Sequence, residues 1–150
     1  MSSDYFKSQD TVKKLLNDSV KGGSQSIFGY IPRIEWEGLE YDDRDYSNRT
    51  WLSVNTETLK DSQNKYSGEL TRVYEVLNLV RVILFCPKHE SGSYRKGQML
   101  ALICRDAFRS KSKDCVWFRD TTFRHMPVED KYFKFAINSY YTYDERVGIQ

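Results

Sequence analysis

Histidine and cysteine are scarce in this chain. Its 150 residues include two histidines and three cysteines. Three cysteines, Cys86, Cys104 and Cys115, are an odd and sparse set, which argues against a disulfide framework and fits synthesis in a reducing, intracellular place. Each sits in or beside an apolar run, so buried, inert thiols are expected. Cys86-Pro-Lys-His89 has the outline of half a zinc site. No second C-x-x-C or H-x-x-x-H follows, and His125 stands alone, so no metal site is expected. No stretch approaches 18 apolar residues, and no membrane-spanning helix is expected. The opening MSSDYFKSQD is polar and has no apolar h-region, so no secretory leader is expected. Neither charge dominates: 23 basic and 21 acidic residues leave a net charge of +2. That balance does not by itself point to nucleic acid or to a membrane surface.

A convergent acid, base and nucleophile set is missing too. His89 and His125 fall in expected loops with no companion motif. Glu35 and Glu37 share a strand face, and Asp42, Asp43 and Asp45 lie in a charge-rich loop that solvation explains. The stretch CPKHESGSYRKGQM, residues 86–99, has two glycines five apart, Gly92 and Gly97, as in a P-loop. A P-loop then needs Lys and Ser/Thr, for the phosphates and for Mg²⁺. Gln98 and Met99 stand there instead, and a thioether offers nothing to a hard cation. The stretch reads as a strand-to-helix turn. No cofactor, no catalysis and no metal are expected.

What is plentiful is aromatic: 11 Tyr, 8 Phe and 3 Trp. Such residues favour strands and also surfaces that a partner covers. Residues 4–21 predict a helix on the stripe Tyr5, Val12, Leu16 and Val20, with Leu15 beside it. Gly22-Gly23-Ser24 is expected to stop it. YIPRIEWE, residues 30–37, is a short extended piece that Pro32 restricts to an edge or to a strand's start. TWLSVNTET, residues 50–58, alternates as a half-buried strand, with Leu52 and Val54 on one side and Trp51, Ser53, Asn55 and Glu57 on the other. Residues 59–69 are expected to be a polar loop between two strands, or an extended hairpin tip. Residues 71–86 form the longest β-like run, apolar on both faces toward its end, so that half should be central and covered; Pro87 closes it.

A helix is expected over 93–109, with Gly97, Leu100, Ala101, Cys104 and Phe108 on its main stripe. Met99, Leu102 and Ile103 form a second apolar flank. That width predicts packing on a sheet plus a further contact, from the first helix or from another subunit. CVWFR, 115–119, reads as a strand, 120–130 as a loop or irregular edge, and 131–144 as a last long strand. The order is α-β-β-β-α-β-β in one domain over 1–150: an N-terminal helix and linker at 1–29, a core at 30–145 and a tail at 146–150. The fold class is α+β, a mostly antiparallel sheet with the helices on one face.

In this order and texture, residues 30–145 resemble the tail terminator (tail completion) proteins of long-tailed bacteriophages. The likeness runs through YIPRIEWEG, then TWLSVNTET where that family has its first core strand, then NLVRVILFCP. It continues through the helix SGSYRKGQMLALICRDAFRS ending near Phe-Arg, through CVWFRDTTFR, and through the aromatic closing strand KYFKFAINSYYTYDER with its Tyr-Asp ending. Tyr94, Arg95 and Lys96 stand where the family more often has small residues, and segment 59–70 is unusually polar.

The resemblance implies a structural virion protein of the tail and neck, made in the host cytoplasm. It implies a homo-hexameric ring that caps the tail tube, ends its polymerisation and meets the head connector protein. DNA would pass through the lumen without sequence-specific binding, and no membrane is involved. Candidates for subunit or lumen contact are Arg95, Lys96, Arg105, Arg109, Lys111 and Lys113. For Arg95 and Lys96, plain solvation at a helix start is the alternative. Candidates for contact with the tail tube protein or connector are Lys60, Lys65, Tyr66, Arg124 and His125, in or near the long loops 38–49, 59–69 and 120–130. A second reading is another ring of the same neck, such as a head–tail joining protein or a tube protein. A third is a small enzyme or a nucleic-acid-binding domain. For binding, segment 105–124 is nearest to a basic stripe with interleaved aromatics, although three Asp dilute it, and a basic lumen would look the same.

Overall fold

The computed structural model describes residues 4–41, 48–66, 71–129 and 131–148. Two helices, α1 (Asp4–Phe28) and α2 (Ser93–Phe108), lie on one face of a six-stranded sheet. The strands are β1 (Arg33–Trp36), β2 (Trp51–Tyr66), β3 (Thr71–Pro87), β4 (Ser112–Lys113), β5 (Val116–His125) and β6 (Tyr132–Gly148), in spatial order β1-β2-β3-β6-β5-β4. All neighbours are antiparallel except β1 and β2, which are parallel. The fold is therefore α+β, a mostly antiparallel sheet with an N-terminal helix.

The core lies between the helices and one parity of the strands. Val12, Leu16 and Val20 of α1 and Leu100, Cys104 and Phe108 of α2 meet Leu52, Val54, Val80, Val82, Leu84, Phe135, Ile137 and Tyr141. The helical spacing of the first set and the alternation of the second put each on one face. Gly97 seats α2 on the sheet. A Cβ there would come within 2.6 Å of Cys86 Sγ and 2.8 Å of Phe135 Cε2.

Several elements outrun their sequence signals. Helix α1 passes through Gly22-Gly23 and stops only at Gly29, whose φ of 77° is the left-handed conformation that ends helices. The extra turns are held by packing: Ser24 is fully buried and its hydroxyl donates to the Val20 carbonyl, and Gly23 lets Ile103 of α2 come close. Residues 22–28 are thus helix, not linker. Residues 59–66 follow the second of their two readings, the extended hairpin, and are not loop. They continue β2 against β3, with bulges between Thr58 and Lys60 and between Gln63 and Lys65. Pairing with an apolar neighbour strand overrides their polar composition. Strand β5 runs on through 120–125, past a bulge at which Asp120 takes a φ of 51°. Strand β6 takes in 146–148 of the expected tail. The two-residue strand β4 has no sequence signal of its own. It pairs with β5 across Asp114-Cys115, both at positive φ, a type I′ hairpin turn.

Candidate interaction surfaces

Three backbone donors of the turn before α2 bond within it. Glu90 N–H donates to the Pro87 carbonyl, Ser93 N–H to Glu90, and Lys96 N–H to Gly92. Gly92, at φ 67°, carries the chain into the helix. Those bonds leave a compact turn. Nearby, the Tyr30 hydroxyl donates to the Glu90 carboxylate, 2.9 Å from either oxygen, and accepts Thr50 N–H at 2.9 Å. That knot ties together the segments following α1, β3 and the β1–β2 connection. Burial, ahead of the Glu90 carboxylate, pushes the Tyr30 phenol up to about 12. Among the described residues no three His, Cys, Asp or Glu are placed to hold a metal. Cys86 and Cys104 are buried, and burial pushes the Cys86 thiol up to about 12 and Cys104 higher. Cys115 departs from expectation: the hairpin turn leaves it exposed.

The six basic residues named for subunit or lumen contact do not form one patch. Arg95 is exposed and Lys96 half-buried along Gly92, at the start of α2. Arg105, Arg109, Lys111 and Lys113 gather at its far end, with Arg109 about 20 Å from Arg95 along the axis. Arg105 is also paired with Asp106 at 3.1 Å. The second set divides as well. Lys60 is exposed on β2 opposite Leu77, while Arg124 and His125 end β5 opposite Ala136 and Phe135. The side chains of Lys65 and Tyr66, residues 42–47 of loop 38–49, residues 67–70 and Asp130 lie outside the described residues.

His125 is part of an aromatic cluster. Its ring packs against Phe123 (5.0 Å) and Phe135 (5.3 Å), and its Nδ1 lies 3.4 Å from the Tyr94 hydroxyl. Nor is segment 105–124 a continuous stacking platform. Phe108 and Phe118 are buried and stacked on each other in the core. Of its three central aromatics only Trp117 faces out, at 45% exposure.

Among the described residues two apolar surfaces stand out, one on each layer. On α2, Met99 and Leu102 are 45% and 41% exposed, and with Arg95, Gln98 and Phe123 they line a shallow hollow. This is the outer part of the flank the sequence marked; its inner part, Ile103, is taken up by α1 at Gly23. The second is the sheet face away from the helices, where no described helix or strand lies. The expectation that the end of β3 is covered on both sides fails here. Leu77, Leu79, Ile83 and Phe85 are only half-buried, and what shields them is their own neighbours. Trp51 stacks on Phe85 at 4.1 Å, Tyr132 meets Phe85 edge-on, and Lys134 lies over its ring. Arg81, Arg119 and Arg124 stand on the same face, as does exposed Tyr140. Apolar residues on both faces of this run mark the face in the sequence, but do not show that among the described residues no element covers it.

No family model and no curated protein matches the sequence. Among solved structures, a protein whose name states no function has a similar fold, with a TM-score of 0.52 at 13% identity over 89% of this chain and 94% of that one. That likeness speaks for the fold alone: an α+β chain with its helices on one side of a mostly antiparallel sheet.

Proposed function

We propose that the chain is a structural protein of a bacteriophage neck, a tail terminator whose copies close into a ring on the end of the tail tube. The observation that carries this reading is the pair of unlike apolar surfaces, the bare sheet face and the Met99–Leu102 flank of α2, on different layers of one subunit. A closed ring of identical chains needs two different complementary faces related by a rotation. Uncovered apolar surfaces suit burial by a partner. The functional side chains in this reading bind and position; none performs chemistry. A nucleic-acid-binding sheet is the second reading. It is favoured by Arg81 and Arg119 beside exposed Tyr140 and Trp117, since bases stack on aromatics and guanidinium groups hold phosphates.

Light scattering across protein concentration, followed by negative-stain imaging with and without tail tubes, separates these. The ring reading expects assemblies of about six subunits, formed alone or on tube ends. A strict monomer that leaves tube growth unchanged, yet binds a labelled single-stranded oligonucleotide in a salt-dependent way, would replace it with the second reading.

A further inference from the structure

The bare sheet face holds a cavity of about 240 Å³ that no motif announced. Its floor is Ile83 and Ala136, neighbours across β3 and β6. Its far wall is the chain leaving β5, Met126 and Pro127, held by Met126 N–H donating to the Lys134 carbonyl at 3.0 Å. Two arginines flank it, Arg81 from β3 and Arg124 from β5. No carboxylate lines it. The nearby Glu129 is engaged by Lys134 at 2.8 Å.

The two arginines are unlike. Arg81 donates through Nε to Asn138 Oδ1 at 3.0 Å. That bond fixes the plane of its guanidinium and leaves the terminal nitrogens free. Arg124 has no hydrogen-bond or ion-pair partner among the described residues. Two like charges over one hollow, with no acid between them, focus positive potential there. Planar guanidinium forks match the two oxygens of a carboxylate. Ile83, Ala136, Met126 and Pro127 offer an apolar seat beside the forks.

We infer that this cavity binds a carboxylate carried on a short apolar body, its oxygens shared by Arg81 and Arg124 and its body resting on Ile83 and Ala136. The carboxylate comes either from a free small acid or from an acidic side chain of a second copy of this chain. The inference does not rest on the ring reading, since a single subunit holds the whole cavity.

Benzoate is the probe, titrated into the isotope-labelled full chain and followed by backbone amide shifts. Saturable shifts at Ile83, Ala136 and Met126 are expected. Arg81→Met and Arg124→Met, both at exposed positions, should each weaken binding about tenfold, the loss of a charge-assisted bidentate contact. Shifts confined elsewhere, or unchanged affinity in the double variant, would overturn the site. Inorganic phosphate binding as well as benzoate would overturn the apolar seat and leave a generic anion patch. Where benzoate binds, light scattering identifies the source. Oligomers that dissociate as the probe saturates point to a side chain of a second copy, and an unchanged mass points to a free acid.

Discussion

Single residues in this protein are set by what burial does to polar groups. Tyr30, Tyr141 and Tyr143 all have phenols held above their ordinary range, in each case chiefly by burial. Tyr141 is fully buried, and its hydroxyl has no hydrogen-bond partner among the described residues. The ionised phenolate is thus the form the fold disfavours. A folded value raised above the unfolded one stabilises the fold fully below pH about 10, and that contribution is lost as pH rises toward about 12, where Tyr30 and Tyr143 titrate. Alkaline titration followed by tyrosinate absorbance should therefore show a late-ionising phase from Tyr30, Tyr141 and Tyr143. That phase should coincide with unfolding seen by circular dichroism. Tyr30→Phe should lower the midpoint of unfolding at neutral pH too, because it strips the buried Thr50 N–H of its acceptor. A single smooth titration with the fold intact throughout would contradict this assignment.

At the scale of elements, the glycines separate propensity from packing. Gly22 lies in mid-helix, and a Cβ there meets nothing within 4 Å. Gly22→Ala should stabilise by about 0.5–1 kcal/mol, the usual helical cost of glycine. Gly97→Ala makes the same change in α2 but drives a methyl into Cys86 and Phe135. It should destabilise by about 1–3 kcal/mol through overpacking. Thermal or urea unfolding of the two variants tests both signs at once. The same contrast explains what could be read in the chain. Both helices, the faces of β2, β3 and β6, and the edge position of β1 follow from periodicity and from Pro32, because burial on one side repeats locally along the sequence. The end of α1 does not follow from Gly22-Gly23, because the contact that carries the helix onward, Ile103, is 80 residues away (103 − 23). Strand residues 59–66 and 120–125 look like loop because their partners, not their own composition, make them strand. The Arg81–Arg124 cavity was out of reach for the same reason: its arginines are 43 residues apart (124 − 81) and meet only through β6.

The whole molecule is a two-layer structure with one layer left open. Both edges of its sheet are only partly paired: β1 covers four residues of β2, and β4 covers two of β5. The uncovered lengths of β2 and β5 contain the bulges, which twist strands away from indiscriminate edge-to-edge pairing. Association through faces rather than edges is the expected outcome, consistent with a ring built from unlike surfaces. The type I′ turn at Asp114-Cys115 makes that countable. Of the three thiols, two are sealed in the core and one sits at a hairpin tip. A maleimide dye should therefore label the native chain once per subunit, at Cys115, without any engineered cysteine. Stepwise photobleaching of single labelled particles then gives the number of subunits directly. About six steps would agree with the ring. One step at every concentration would mean that the open sheet face meets something other than another copy of itself.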